Sequence, residues 1–331
     1  MSSPLPRVLV LTLGGTIASV ADSSGQGATP RLGPAELLAS VPGVAEVADI
    51  RTESFRQYPS GDLSVADVVE LAQLVGKRAD DIDGVVVTQG TDTLEETSYL
   101  LGLLLGADSP PVVLTGAMRN AGLAGADGPA NILAAVRVAA SQEARGMGPL
   151  VVFADEIHLP RFVRKLHSSS IAAFGSPNAG PIGWVTEERV RIPLVPRRRE
   201  VTFQPDALDA HLPSVGIVKL GLGSGPLRPE HVAGLDGLVV EAFGGGHVPS
   251  PVVDSLADVH RQIPVVVVTR TGAGELYEST YDFPGSERDL FGRGLVGAGA
   301  LDGAKARLLL ILLLASGADR PDIVARFAAA P

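Results

Sequence analysis

Short, almost unbroken apolar runs rich in valine recur along this chain, each stopping at a glycine or a polar turn. They are Val8–Leu13, Val85–Thr88, Val112–Thr115, Leu150–Phe153, Gly216–Leu220, Leu238–Ala242 and Pro264–Thr269. A strand with one wet face alternates apolar and polar residues, whereas a strand covered by helices on both faces does not need to. The runs therefore predict buried strands of a parallel sheet. Between them, helical patterns occupy Ser64–Lys77, Leu94–Leu105, Ala130–Ala144, Val252–Gln262 and Asp302–Ala315. Strand alternating with helix through most of a chain is the α/β pattern.

The alternation breaks once, between Pro193 and Pro213, where prolines and the basic run Arg197–Arg199 show no sustained period. Such a stretch reads as a solvated linker. The expected organisation is a larger N-terminal α/β domain over 1–192 with a mostly parallel sheet flanked by helices. A linker follows over 193–213, and then a smaller C-terminal α/β domain over 214–331. With 331 residues, 45% of them apolar, the chain can fill two cores.

Composition excludes several functions. The 27 basic residues against 37 acidic ones give a net charge of −10, which argues against nucleic acid as a partner. With no cysteine, there is no disulfide, iron–sulfur cluster, thiolate zinc site or cysteine nucleophile. Six scattered histidines suggest no metal centre. The longest clear apolar run, Leu308–Leu314, falls short of the roughly 18 residues that span a bilayer. The start of the chain has neither the long apolar core nor the small-residue cleavage site of a signal peptide, so a cytoplasmic protein with no membrane partner is expected.

In open parallel sheets, ligands bind beyond the carboxyl ends of the strands, and two loops at such places stand out. Leu13-Gly14-Gly15-Thr16-Ile17-Ala18-Ser19 follows the first strand. Its glycines allow a tight turn and close approach of a ligand, but it has no Walker lysine and no third glycine of a dinucleotide fingerprint. The other loop, Gln89-Gly90-Thr91-Asp92-Thr93-Leu94-Glu95-Glu96, joins the strand at 85–88 to the helix from Leu94. Thr91, Asp92 and Thr93 are good N-cap types, and Glu95 and Glu96 suit a first helical turn. A capped helix explains every acid here. It leaves unexplained why two hydroxyls and a carboxylate gather at a sheet's carboxyl edge, where helix N–H groups can also hold an anion.

Taken together, the two loops resemble the L-asparaginase family, amidohydrolases with two threonines in the site. The likeness extends to Tyr58-Pro59-Ser60-Gly61-Asp62, to Leu114–Arg119 with Ala126–Pro129 and Asn131, to Arg161–Lys165, and to Phe174–Pro177 with Gly180–Gly183. It implies that Thr16 is the nucleophile on the side-chain amide carbon, expelling ammonia and leaving an acyl-enzyme ester. Thr91 would be the second threonine, with Asp92 and Lys165 completing its proton network. Ser60 would hold the substrate α-carboxylate and Asp92 its α-ammonium, with Asp62 and Gly90 also at the substrate. The chemistry is consistent, because a threonine hydroxyl is a poor nucleophile without a positioned proton acceptor.

The chain departs from the family pattern at three places. Gln89 stands where histidine is frequent, and Gly61 where glutamine is frequent. The mobile lid expected over Val20–Gly33 lacks the tyrosine that usually partners the first threonine. Of the four tyrosines, Tyr99 falls within a helix and is expected in the core. Tyr281, or failing that Tyr277, is expected to supply the missing phenol across a subunit interface, with Tyr58 or a bound water next in line. The likeness further implies a homo-oligomer, a tetramer or dimer, acting on a small-molecule amide without metal or organic cofactor. Two other readings stay open: an amidase of the same fold for a larger or modified amide, and a catalytically silent amino-acid-binding protein. The glycine-rich turn Gly221–Gly225 and the surroundings of His247 read as turn and interface, and His158 and His167 receive no role.

Overall fold

The computed structural model describes residues 4–21, 28–30, 33–106, 108–196, 202–208 and 211–329. It divides into two compact units, Met1–Arg198 and Arg199–Pro331. Parts of the expected lid (22–27, 31–32) and of the expected linker (197–201, 209–210), including Arg197–Arg199, lie outside the described residues.

The first unit opens with β1 (Arg7–Thr12), the short antiparallel pair β2 (Ser19–Ala21) and β3 (Ala28–Pro30), helices α1 (Pro34–Ala39) and α2 (Val44–Val47), and β4 (Asp49–Ser54). Next come α3 (Val65–Arg78), β5 (Gly84–Thr88), α4 (Leu94–Leu104), β6 (Val112–Thr115), α5 (Gly128–Ala140) and β7 (Pro149–Phe153). The unit closes with β8 (Glu156–His158), β9 (Arg164–Lys165), β10 (Phe174–Gly175), β11 (Gly183–Thr186) and β12 (Arg189–Arg191).

Eight of these strands form one sheet in the order β12-β11-β8-β7-β6-β5-β1-β4. Pairing is parallel from β7 to β4 and antiparallel from β7 to β12. Every residue of β5, β6 and β7 is buried, as their valine-rich runs predict. The alanine-rich face of α5, with Ile132, Ala135 and Ala139, packs in one core with Val10, Val86 and Val113. Removing such a valine from water stabilises the fold by about 1.5–3 kcal/mol. α3 begins on a capping box in which Ser64 Oγ accepts from Asp67 N–H at 3.1 Å and the Asp67 carboxylate accepts from Ser64 N–H at 2.9 Å.

Two departures from the periodicity have separate causes. β4 is an edge strand of mixed exposure, so no apolar run marks it. The run expected to continue as helix to Ala144 ends at Ala140, where the Ser141 hydroxyl accepts from Glu143 N–H at 3.1 Å and starts a separate 3-10 turn.

The second unit holds a four-stranded parallel sheet, β13 (Val215–Lys219), β14 (Gly237–Ala242), β15 (Val265–Thr269) and β16 (Val296–Gly297), in that order. Its helices are α6 (Ser250–Gln262), α7 (Glu287–Gly292), α8 (Gly303–Ala315) and α9 (Arg320–Ala329). β13 at the edge alternates in exposure, whereas β15 is buried throughout. Among the described residues no helix is long and apolar enough to cross a membrane.

Candidate active site

The parallel strands of the first unit end on a common rung, because Thr12 pairs with both Ser54 and Thr88, and Thr88 with Thr115. The loops that leave this rung carry the expected site. Leu13 N–H donates to Thr88 O at 2.8 Å, and Gln89 N–H to Thr115 O at 3.1 Å, so the loop after each strand is tied to the neighbouring strand.

Gly15 and Gly90 bring the two threonine loops together. A Cβ on Gly15 would stand 2.1 Å from Gly90 N and 2.3 Å from Gly90 Cα, so the two backbones are in direct contact. Gly15 also has φ 84° and ψ −172°, a conformation open essentially to glycine alone. Thr16 and Thr91 are the residues that follow these two glycines. Thr16 then opens a 3-10 turn whose Ile17 and Ala18 are buried, and Ser19 Oγ donates to Gly15 O at 2.9 Å.

A second close approach seats Ser60. A Cβ on Gly90 would lie 2.7 Å from Ser60 Oγ, which places that hydroxyl against the glycine between Gln89 and Thr91. Ser60 is only 4% exposed, whereas Asp62 on the same turn is exposed. Thr93 occupies the N-cap position of α4, but its side chain makes no cap hydrogen bond. Its Oγ1 instead donates to Ser60 O at 2.9 Å and accepts from Gln89 Nε2 at 3.3 Å. The capping signal in the sequence hid this bridge between loops. Thr88 Oγ1 and Gln89 Oε1, beside the site, are buried with no hydrogen-bond partner among the described residues.

Lys165 comes to Thr91 on the small β9–β10 hairpin, which the chain forms between β8 and β11. Its Nζ donates to Thr91 Oγ1 at 2.8 Å and to Asp92 Oδ1 at 2.6 Å. Asp92 is 77% exposed and Lys165 17%, so the ion pair is screened and adds at most about 1 kcal/mol to stability. What the arrangement provides is a hydrogen-bonded chain from carboxylate through ammonium to hydroxyl. The Lys165 N–H is in turn held by the Glu95 carboxylate. In the sequence Glu95 reads only as a first-turn acid, and nothing local marks its second task.

The loop after β6 is braced by Asp127, whose carboxylate accepts from Met118 N–H at 3.0 Å and Arg119 N–H at 2.9 Å. Asn131 Nδ2 donates to Gly116 O at 3.0 Å and Asn131 Oδ1 accepts from Ala154 N–H at 3.1 Å, tying the ends of β6 and β7 together. Among the described residues no three histidine, aspartate or glutamate side chains gather as metal ligands.

Of the tyrosines, Tyr99 is buried in the core and Tyr58 lies half-exposed on the loop before Ser60, its N–H donating to Leu13 O at 3.1 Å. Tyr281 belongs to the second unit. Its ring stands edge-on to His247 with centroids 5.0 Å apart, its N–H is held by the Glu287 carboxylate, and it is 44% exposed. His247 Nε2 is 3.0 Å from the buried Glu287 carboxylate. Bonds from the Tyr281 and Thr280 backbones and from His247 hold that carboxyl below its usual range, against the opposing effect of burial. The Gly221–Gly225 segment forms a turn, with Gly221 N–H donating to Ser224 Oγ at 2.8 Å.

Comparison with known proteins matches both units to one family. Residues 7–197 match the asparaginase N-terminal domain, and residues 203–327 match the glutaminase/asparaginase C-terminal domain. A "Probable L-asparaginase" of Deinococcus radiodurans is 39% identical over 98% of this chain and 97% of its own length. An L-asparaginase of Bacillus licheniformis is 36% identical over 94% of this chain and 96% of its own. A crystal structure of a probable cytoplasmic L-asparaginase from Campylobacter jejuni superposes with a TM-score of 0.88 at 32% identity, covering 98% of this chain and 99% of that one. With both domains matched and relatives aligned end to end, this chain belongs to the asparaginase family.

Proposed function

We propose that this protein hydrolyses L-asparagine to L-aspartate and ammonia, with Thr16 as nucleophile. The carrying observation is the Asp92–Lys165–Thr91 chain of hydrogen bonds next to the loop that bears Thr16. In this reading Thr16 Oγ attacks the side-chain amide carbon, and its proton passes by way of a neighbouring acceptor to the amide nitrogen. Collapse of the tetrahedral oxyanion expels ammonia and leaves an aspartyl ester on Thr16. Thr91, linked through Lys165 to Asp92, then takes a proton from the water that hydrolyses the ester, and the network delivers one proton to Thr16 Oγ as the ester bond breaks. Such positioned proton transfers are worth about a hundredfold or more in rate. Ser60 receives the substrate α-carboxylate and Asp92 the α-ammonium, with Gly90 and Asp62 at the same end.

Glutamine is a weaker second substrate in this reading, in line with the family's glutaminase/asparaginase C-terminal domain. The enzyme works as a homo-oligomer, dimer or tetramer, in the cytoplasm, by likeness to the Campylobacter jejuni protein described as cytoplasmic. Tyr281 of a neighbouring copy partners Thr16 in place of a lid tyrosine; its half-exposed ring supports that role. The test is ammonia release from asparagine, glutamine and larger amides by the wild type and by Tyr281→Phe and Tyr277→Phe. Asparagine should be turned over best, with the acylation burst lowered in Tyr281→Phe. Turnover of none of the amides would contradict the proposed activity, and normal bursts in both phenylalanine variants would remove the tyrosine assignment.

A further inference from the structure

Lys165 sits on a hairpin that lacks the support of the main sheet. Among the described residues β9 and β10 pair only with each other, Phe174 opposite Lys165 and Gly175 opposite Arg164. The connecting loop from Leu166 to Ala172 is almost wholly exposed. Besides the Glu95 carboxylate that holds Lys165 N–H, anchorage comes from the return strand, where the Phe174 ring packs at a tilt against Phe153 with ring centroids 4.7 Å apart. Just past that strand, Ser176 is buried, and its Oγ lies 3.1 Å from Nδ1 of His158.

His158 stands on β8 inside the eight-stranded sheet and is fully buried. Its other nitrogen, Nε2, is 3.3 Å from a Glu156 carboxylate oxygen but outside hydrogen-bond geometry. Burial pushes the imidazole down to about 4, so it is neutral at neutral pH. The neutral ring carries one proton, and the Ser176 hydroxyl can meet Nδ1 as donor or as acceptor according to the tautomer. A leucine here would fill the space without the desolvation penalty of an imidazole, so packing alone does not account for the residue.

We infer that His158 is a positioning residue for Lys165: by holding Ser176 it clamps the return strand of the hairpin to the main sheet and fixes where the Lys165 ammonium meets Thr91. This rests on the assignment of Lys165 to the proton network. The clamp never touches substrate, so its loss should displace a proton-transfer group without changing substrate contacts. A displacement of about 1 Å at such a group costs up to about a hundredfold in rate.

The test compares kcat and KM for asparagine in His158→Leu, His158→Asn, Ser176→Ala, the His158→Leu/Ser176→Ala double variant and Lys165→Met, well below their melting temperatures. His158→Leu and Ser176→Ala should each lower kcat by about ten- to a hundredfold while KM stays within about twofold. The double variant should be no worse than His158→Leu alone, because both single changes cut one link. His158→Asn, whose amide can reach the Nδ1 position, should keep most of the activity. If His158→Leu does not fold, Ser176→Ala against His158→Asn carries the same comparison. Near-wild-type kcat in both His158→Leu and Ser176→Ala, with Lys165→Met inactive, would overturn the clamp while leaving the site assignment intact. An active Lys165→Met would overturn both.

Discussion

The Lys165 Nζ donates to Thr91 Oγ1 at 2.8 Å, although the two residues lie 74 positions apart in the chain. That bond joins a loop of the parallel half of the sheet to a hairpin that the chain forms between β8 and β11. Lys165→Met removes the ammonium and keeps most of the stem. It should lower kcat by at least about a hundredfold with the fold intact, since the ion pair it breaks is open to solvent on the Asp92 side. Steady-state ammonia release and circular dichroism on the same preparation check both halves of the expectation.

Gly15→Ala tests the contact that brings the threonine loops together. The added methyl would stand 2.1 Å from Gly90 N, and the backbone at Gly15 is in a region alanine avoids. Backbone strain alone should cost about 1–3 kcal/mol, and the loops must separate to make room. Activity should fall further than stability, and a urea unfolding curve beside a kcat measurement will show whether it does.

How much of this was legible in the sequence depended on whether the signal was local. The valine runs at 85–88 and 112–115 are buried strands because both faces are covered, and that leaves a direct mark in composition. β4 leaves no such mark, since an edge strand keeps exposed polar residues. The same distinction applies at the site. Thr16 and Thr91 stand in loops that follow strands, where chain position draws attention to them and the family resemblance supplies their roles. Thr93 was legible only as a helix cap, because its bond to Ser60 O depends on two loops meeting in space. Glu95, which holds Lys165 N–H, and His158, which holds Ser176, depend on tertiary placement in the same way. The lid segment is legible as glycine- and serine-rich, but 22–27 and 31–32 lie outside the described residues.

Ser60 and Thr93 should separate binding from chemistry. Ser60→Ala deletes the hydroxyl assigned to the substrate carboxylate, so KM should rise by about tenfold or more while kcat changes less. Thr93→Val deletes the bond to Ser60 O and should raise KM in the same direction by a smaller factor. A fall in kcat at constant KM in Ser60→Ala would move that residue into the chemical step.

His158 also sets a stability dependence on pH. Its folded-state value is lowered from 6.5 to about 4, so between these values the unfolded chain binds more protons than the folded one. Stability therefore rises with pH across that window and is fully present above it. On falling from pH 7 to 5 the first unit should lose about 2 kcal/mol through this group. The difference in unfolding free energy between His158→Leu and wild type should shift in the variant's favour by that amount over the same range. A constant difference would show that the imidazole titrates alike in both states.

The most direct test of the central claim is where the covalent bond forms. Wild type and Thr91→Val, mixed with asparagine, quenched in acid and digested, should yield one aspartyl group on the peptide that carries Thr16, and Thr16→Ala should yield none and release little ammonia. An aspartyl ester on Thr91, or ammonia release by Thr16→Ala at near the wild-type rate, would contradict Thr16 as the nucleophile.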